Sequence, residues 1–92
     1  MKLPINTKIL FTENNYIALL NIIYSEGYRY NSRPNYNLIN LISHINTFFN
    51  FPNICFLLSE DKKFTIVSNT YVFCEKLISG DNILRQIKLS KI

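Results

Sequence analysis

Hydrophobic and polar positions along this chain follow two periods, one of strands and one of helices. Lys8-Ile9-Leu10-Phe11 is a short apolar run closed by Thr12 and predicts a first strand. Thr12 can accept an orphan N–H of a helical first turn, and Glu13 suits the positive end of that helix. Phe11 and Tyr16 stand at the spacing of a hydrophobic staple. Tyr16, Leu19, Leu20 and Ile23 then recur at helical spacing, so a first helix is expected over Glu13–Glu26. Gly27 is its natural stop, with Tyr28 folding back on Ile23.

Tyr28-Arg29-Tyr30-Asn31-Ser32 alternates aromatic and polar residues, the period of a half-buried strand, and Arg33-Pro34-Asn35 breaks it. Leu38, Leu41, Ile42, Ile45, Phe48 and Phe49 form an amphipathic stripe, predicting a helix over Asn37–Phe49 with Asn37 as cap. Ile54–Leu58 and Phe64–Ser68 read as a hairpin around the polar turn Ser59–Lys63. Ser68 or Asn69 can cap a short third helix through Phe73, Cys74, Leu77 and Ile78, closed by Gly80. Ile83–Leu89 alternates as a last strand, an edge guarded by Arg85 and Lys88. The expected class is α+β in one domain over residues 1–92. It has one mixed, mainly antiparallel sheet with two main helices on one face, in the order β-α-β-α-β-β-α-β.

Composition agrees with a folded globule: 48% of residues are hydrophobic and 17% charged. Seven Phe and six Tyr supply the large core pieces. Thirteen Asn, fourteen Ile and seven Lys are residue types with AT-rich codons, a bias of the genome more than of the fold. No window reaches the ~18 consecutive apolar residues of a membrane span. The start, Met1 to Asn6, lacks the apolar core of a signal peptide. Cys55 and Cys74 both sit in apolar runs and read as buried thiols in a reducing compartment. The expected location is the cytoplasm, that of the host cell if the chain is encoded by a phage.

The chemistry is sparse. One histidine, His44, and two separated cysteines fall short of a zinc ligand set. A relay of Cys55 or Cys74 with His44 is formally possible, but no local signature accompanies it. Two glycines, Gly27 and Gly80, leave no glycine-rich phosphate loop. Glu60-Asp61 lies in the hairpin turn, while Glu13, Glu26, Glu75 and Asp81 lie at helix ends, where dipole and capping effects account for them. The expectation is a protein without catalytic or metal residues and without a cofactor, not an enzyme.

The net charge of +4 permits attraction to nucleic acid or to an acidic protein surface. Tyrosine and arginine interleave from Tyr28 to Tyr36. Such a stretch can stack bases and neutralise phosphates. It can equally anchor a protein interface, or turn Tyr28 and Tyr30 to the core and Arg29 and Arg33 to water. The candidate partner-binding residues are Arg29, Tyr30, Arg33 and Tyr36, with Lys62 and Lys63 on the hairpin turn. The nucleic-acid alternative requires Arg29, Arg33, Lys62, Lys63, Arg85 and Lys88 to converge on one face.

Phe11-Thr12-Glu13, Leu19-Leu20 and Glu26-Gly27-Tyr28-Arg29-Tyr30-Asn31-Ser32 resemble a pattern of small phage and prophage proteins. There a strand leads into a helix ending in Glu-Gly-Tyr or Asn-Gly-Tyr, followed by a strand, a hairpin and a final strand. Where that pattern commonly has Trp and then Gly, this chain has Tyr30 and Arg33. The resemblance implies a mobile-element origin. It also implies a non-enzymatic inhibitor that sterically blocks a host defence protein or ribonucleoprotein, most concretely an anti-CRISPR protein acting on a CRISPR–Cas complex. A small basic nucleic-acid-binding regulator is the alternative. A homodimer, through an exposed edge strand or the second helix, is a further expectation.

Overall fold

Alternation and helical spacing place eight elements in the computed structural model, which describes residues 3–90. They are β1 (Lys8–Phe11), α1 (Tyr16–Ser25), β2 (Arg29–Tyr30), α2 (Leu38–Phe48), β3 (Ile54–Leu58), β4 (Lys63–Ser68), β5 (Leu77–Ser79) and α3 (Gly80–Ser90). The class is α+β, with three helices and an open, mixed five-stranded sheet in the order β2-β4-β3-β1-β5. β3 pairs antiparallel with β1 and β4, while β2 and β5 lie parallel to β4 and β1 at the two edges.

Strand pleating sorts the sheet into two faces. Ile9 and Phe11 of β1, Phe56 and Leu58 of β3, and Phe64 of β4 share one face by register. The Phe11 and Phe56 rings stack there at 4.0 Å. Tyr16, Leu19, Leu20 and Ile23 of α1, Leu41 and Ile45 of α2, and Ile83 of α3 join them in one buried cluster. All three helices therefore cover the same face.

The local signals held over most of the chain. Gly27 sits at φ +92°, the Gly27 N–H donates to Tyr24 and the Tyr28 N–H to Ile23, closing α1 as a Schellman motif. Asn37 caps α2, its side chain accepting the Asn40 N–H at 2.8 Å in a reciprocal capping box. α1 starts later than Thr12 would set it. The Asn15 carboxamide accepts the Thr12 N–H at 2.7 Å and donates to Asp81 at 2.9 Å, so a turn precedes Tyr16. The second strand shortens to Arg29–Tyr30 because only those residues pair with β4.

The last two elements exchange types. The expected third helix is absent: residues 69–76 are irregular and Leu77–Ser79 form the fifth strand. Phe73 has polar Thr70 and Asn69 at the preceding helical positions, so no apolar stripe carries a helix there. The expected final strand is α3, whose Ile83, Leu84 and Ile87 make a helical face. Gly80 opens this helix instead of closing one. A Cβ there would stand 2.5 Å from Leu19 Cδ1 and 2.8 Å from the Leu10 carbonyl. Ser79 Oγ accepts the Asp81 N–H, and Asp81 suits the positive helix end. The order is therefore β-α-β-α-β-β-β-α.

Residues 69–76 link two parallel strands by crossing the face of the sheet that the helices leave open. Buried Lys8 pins this strap, its ammonium donating to the Asn69 and Tyr71 carbonyls at 2.8 and 3.1 Å. The Asn69 N–H donates to the Asn53 carbonyl, and Cys74 Sγ donates to the Asn6 carbonyl. Among the described residues, no helix is long and apolar enough to cross a membrane.

Candidate functional site

The six expected contact residues divide by burial. Tyr30 keeps 7% of its surface, and its ring packs on Phe64 and His44 at 5.6 Å, so it is a core residue. Tyr28 is buried as well. Arg29 and Arg33 are exposed, as the alternation predicts for the polar positions of a half-buried strand. Tyr36 is half-buried, and its carbonyl accepts the Tyr24 hydroxyl at 2.9 Å. Lys62 and Lys63 are exposed on the hairpin.

Arg29 and Lys62 already have intramolecular work. α1 carries no basic residue in its last turn, and cations from outside it reach carbonyls at and just beyond its C-terminal end. The Arg29 guanidinium donates to the Tyr24 and Tyr28 carbonyls at 3.3 and 2.7 Å and lies over the Tyr24 ring. Burial pushes the Tyr24 phenol up, with the nearby Arg29 charge opposing. Lys62 donates to the Glu26 carbonyl at 3.0 Å and stands 4.5 Å over the Tyr28 ring.

The basic residues do not converge as the nucleic-acid alternative requires. Arg29 is register partner of Lys63 at the β2 edge. Arg85 and Lys88 lie on α3, which packs by β1 and β5 at the other side of the sheet. Lys2 and Lys91 lie outside the described residues.

His44 is half-buried, with the rings of Tyr30, Tyr36, Phe48 and Phe49 within 5.0–5.8 Å. Cys55 belongs to the opposite face of the sheet, in register with Leu10 and Val67. The sheet thus separates His44 from the buried thiol. Burial pushes the Cys55 thiol up, the Lys8 ammonium opposing and Cys74 adding to the rise. Cys74 is half-buried on the strap and not a core residue.

The open face of the sheet carries the features that the local pattern missed. Val72 and Phe73 on the strap keep 78% and 84% of their surface, and Leu77 of β5, in register with Lys8, is exposed as well. The Phe73 ring meets Tyr71 edge-on at 5.5 Å. Two cavities lie on this side of the sheet, and Phe73 lines the second of them. One, of about 640 Å³, runs along the hairpin past Thr65, Glu60 and Asp61; the other, of about 450 Å³, lies under Tyr71 and Phe73. Asn6 and Leu57 wall both. The signal that could have found this surface is the run Val72-Phe73, apolar residues with no helical partner before them. Comparison with known proteins finds no family, no curated relative and no solved structure that matches the chain.

Proposed function

We propose that this protein is a non-enzymatic binding protein that blocks a host defence protein or ribonucleoprotein by covering part of its surface, in its most concrete form an anti-CRISPR protein. The observation that carries the reading is the exposed apolar pair Val72-Phe73 on the strap, with the Phe73 ring set against Tyr71. Apolar side chains that adjoin one another in water on a folded scaffold mark an interface, and single scattered ones do not. Aromatic anchors contribute most to such interfaces, and Phe73 leaning on Tyr71 is one. The strap that presents Val72 and Phe73 is tied to the sheet by Lys8, so little ordering accompanies binding. The phage-type pattern around Gly27 supports the choice of a host target.

The test is a plasmid-interference assay in cells carrying a CRISPR–Cas effector, with affinity capture on the full chain. Relief of interference, with recovery of the effector and loss of both on Phe73→Ser, is the expected result. Unchanged interference across the effector types, with no host protein recovered, overturns the reading. The alternative of a nucleic-acid-binding regulator draws on Arg29, Arg33, Lys62 and Lys63 near the β2 edge. It predicts binding that weakens steeply with salt.

A further inference from the structure

We infer that the groove across the open face of the sheet takes an extended segment of the partner protein that combines apolar side chains with Lys or Arg. The inference rests on the reading above that the chain acts by binding a protein.

Shape comes first. The two cavities share Asn6 and Leu57, and each has the volume of a small-ligand pocket. An occupant that fills both is chain-like. Half-buried Leu57 at the shared wall and exposed Phe73 beyond it seat apolar side chains. Asn6 and Asn31 bring exposed carboxamides to the first cavity, each able to donate to and accept from a peptide backbone.

Charge then selects the occupant. The chain has ten basic residues and six acidic ones. Around these two cavities the balance inverts: Glu60, Asp61 and Glu75 face two lysines, Lys63 and Lys76. Half of the acids of a basic protein line one groove. Lys63 lies 4.0 Å from Asp61 in an exposed pair and offsets part of this charge, so the two cavities together keep one acid in excess. The Ser59 hydroxyl donates to Asp61 and, ahead of the Lys63 charge, holds its carboxyl below the usual range, so this end remains anionic. A phosphate backbone is repelled here, and a Lys or Arg side chain is attracted.

The experiment selects a display library of random short peptides on the full chain, then measures the best synthetic peptide by fluorescence anisotropy. Enriched sequences are expected to place Lys or Arg beside Leu or Phe. Glu60→Lys with Asp61→Lys is expected to weaken binding roughly ten-fold, and Glu13→Lys, the same reversal at an exposed site outside both cavities, to leave it unchanged. Circular dichroism checks that each variant keeps its fold. Acidic peptides, no enrichment, or binders indifferent to the charge reversal overturn the groove. A host protein captured by the wild type, kept by the reversed variant and lost with Arg33→Glu overturns the groove and leaves occlusion standing. Groove-binding peptides together with unchanged host interference and no captured host protein overturn occlusion and leave the groove standing.

Discussion

Lys62 donates its ammonium to the carbonyl of Glu26, thirty-six positions earlier, at the C-cap of a helix to which it does not belong. The hairpin turn thereby fastens α1 to the strand edge of the sheet. Lys62 holds a left-handed backbone, φ 63°, while it does so. Lys62→Ala removes the bond and keeps the strained φ, and is expected to cost about 0.5–1 kcal/mol. Lys62→Gly relieves the φ and should cost less than Lys62→Ala. Urea denaturation of the two variants measures the difference.

Gly80 marks a contact between backbones. A methyl group there meets the Leu10 carbonyl, which cannot rotate away. Gly80→Ala is expected to destabilise by about 1–3 kcal/mol. Hydrogen exchange should show α3 opening first, because its start is displaced from β1.

Tyr30→Ala is expected to act on stability, by about 3 kcal/mol or more, because it empties a site between Phe64 and His44. Arg33→Ala, at an exposed position, should stay within about 0.5 kcal/mol. Thermal melts compare the two directly.

Lys8→Met leaves the Asn69 and Tyr71 carbonyls without their ammonium donor. About 1–3 kcal/mol of stability should go with it. Thiol labelling gives the sharper readout. In the wild type Cys74 labels before buried Cys55, and in Lys8→Met the Cys55 rate should rise as the strap loosens.

Two pH effects follow with opposite signs. The Asp61 carboxyl lies below its ordinary value in the folded chain, so its contribution is present above the unfolded pKa of about 3.9 and is lost as pH falls through the folded value. Ser59→Ala should move the Asp61 titration upward by NMR, because the hydroxyl is the largest cause of the shift. The Cys55 thiol lies above its ordinary value, mainly through burial. Its contribution is present below the unfolded pKa of about 8.5 and is lost as pH rises through the folded value. Denaturant midpoints should fall on the alkaline side, and Cys55→Ala should flatten that slope.

Local rules reached far along this chain where a residue's neighbours in sequence are also its partners in space. Lys8–Phe11, Ile54–Leu58, the Gly27 stop and the Asn37 cap are of that kind. They failed where one residue type serves two ends. Gly80 reads equally as a helix stop and as a gap for close packing, and only Leu10 and Leu19 decide between them. Ile83, Ile87 and Leu89 alternate as a strand would, while Ile83, Leu84 and Ile87 step as a helix. The alternation from Tyr28 to Arg33 showed which side chains face water. It did not show that Arg29 and Lys62 serve α1, since β2 and the hairpin meet only in the sheet. The two cavities bring Asn6, Leu57 and Phe73 together from three distant segments, and of these only Phe73, in the run Val72-Phe73, has a local signal.

The interleaved strand order sets the sequence of events during synthesis. β1 and β2 leave the ribosome early, yet in the finished sheet neither touches the other, because β4 and β3 lie between them. The nascent chain therefore carries two unzipped strands and two amphipathic helices until the hairpin arrives to bridge them. Hairpins close fast and long-range pairings slowly, so the last-made half of this protein is the template on which the first-made half assembles.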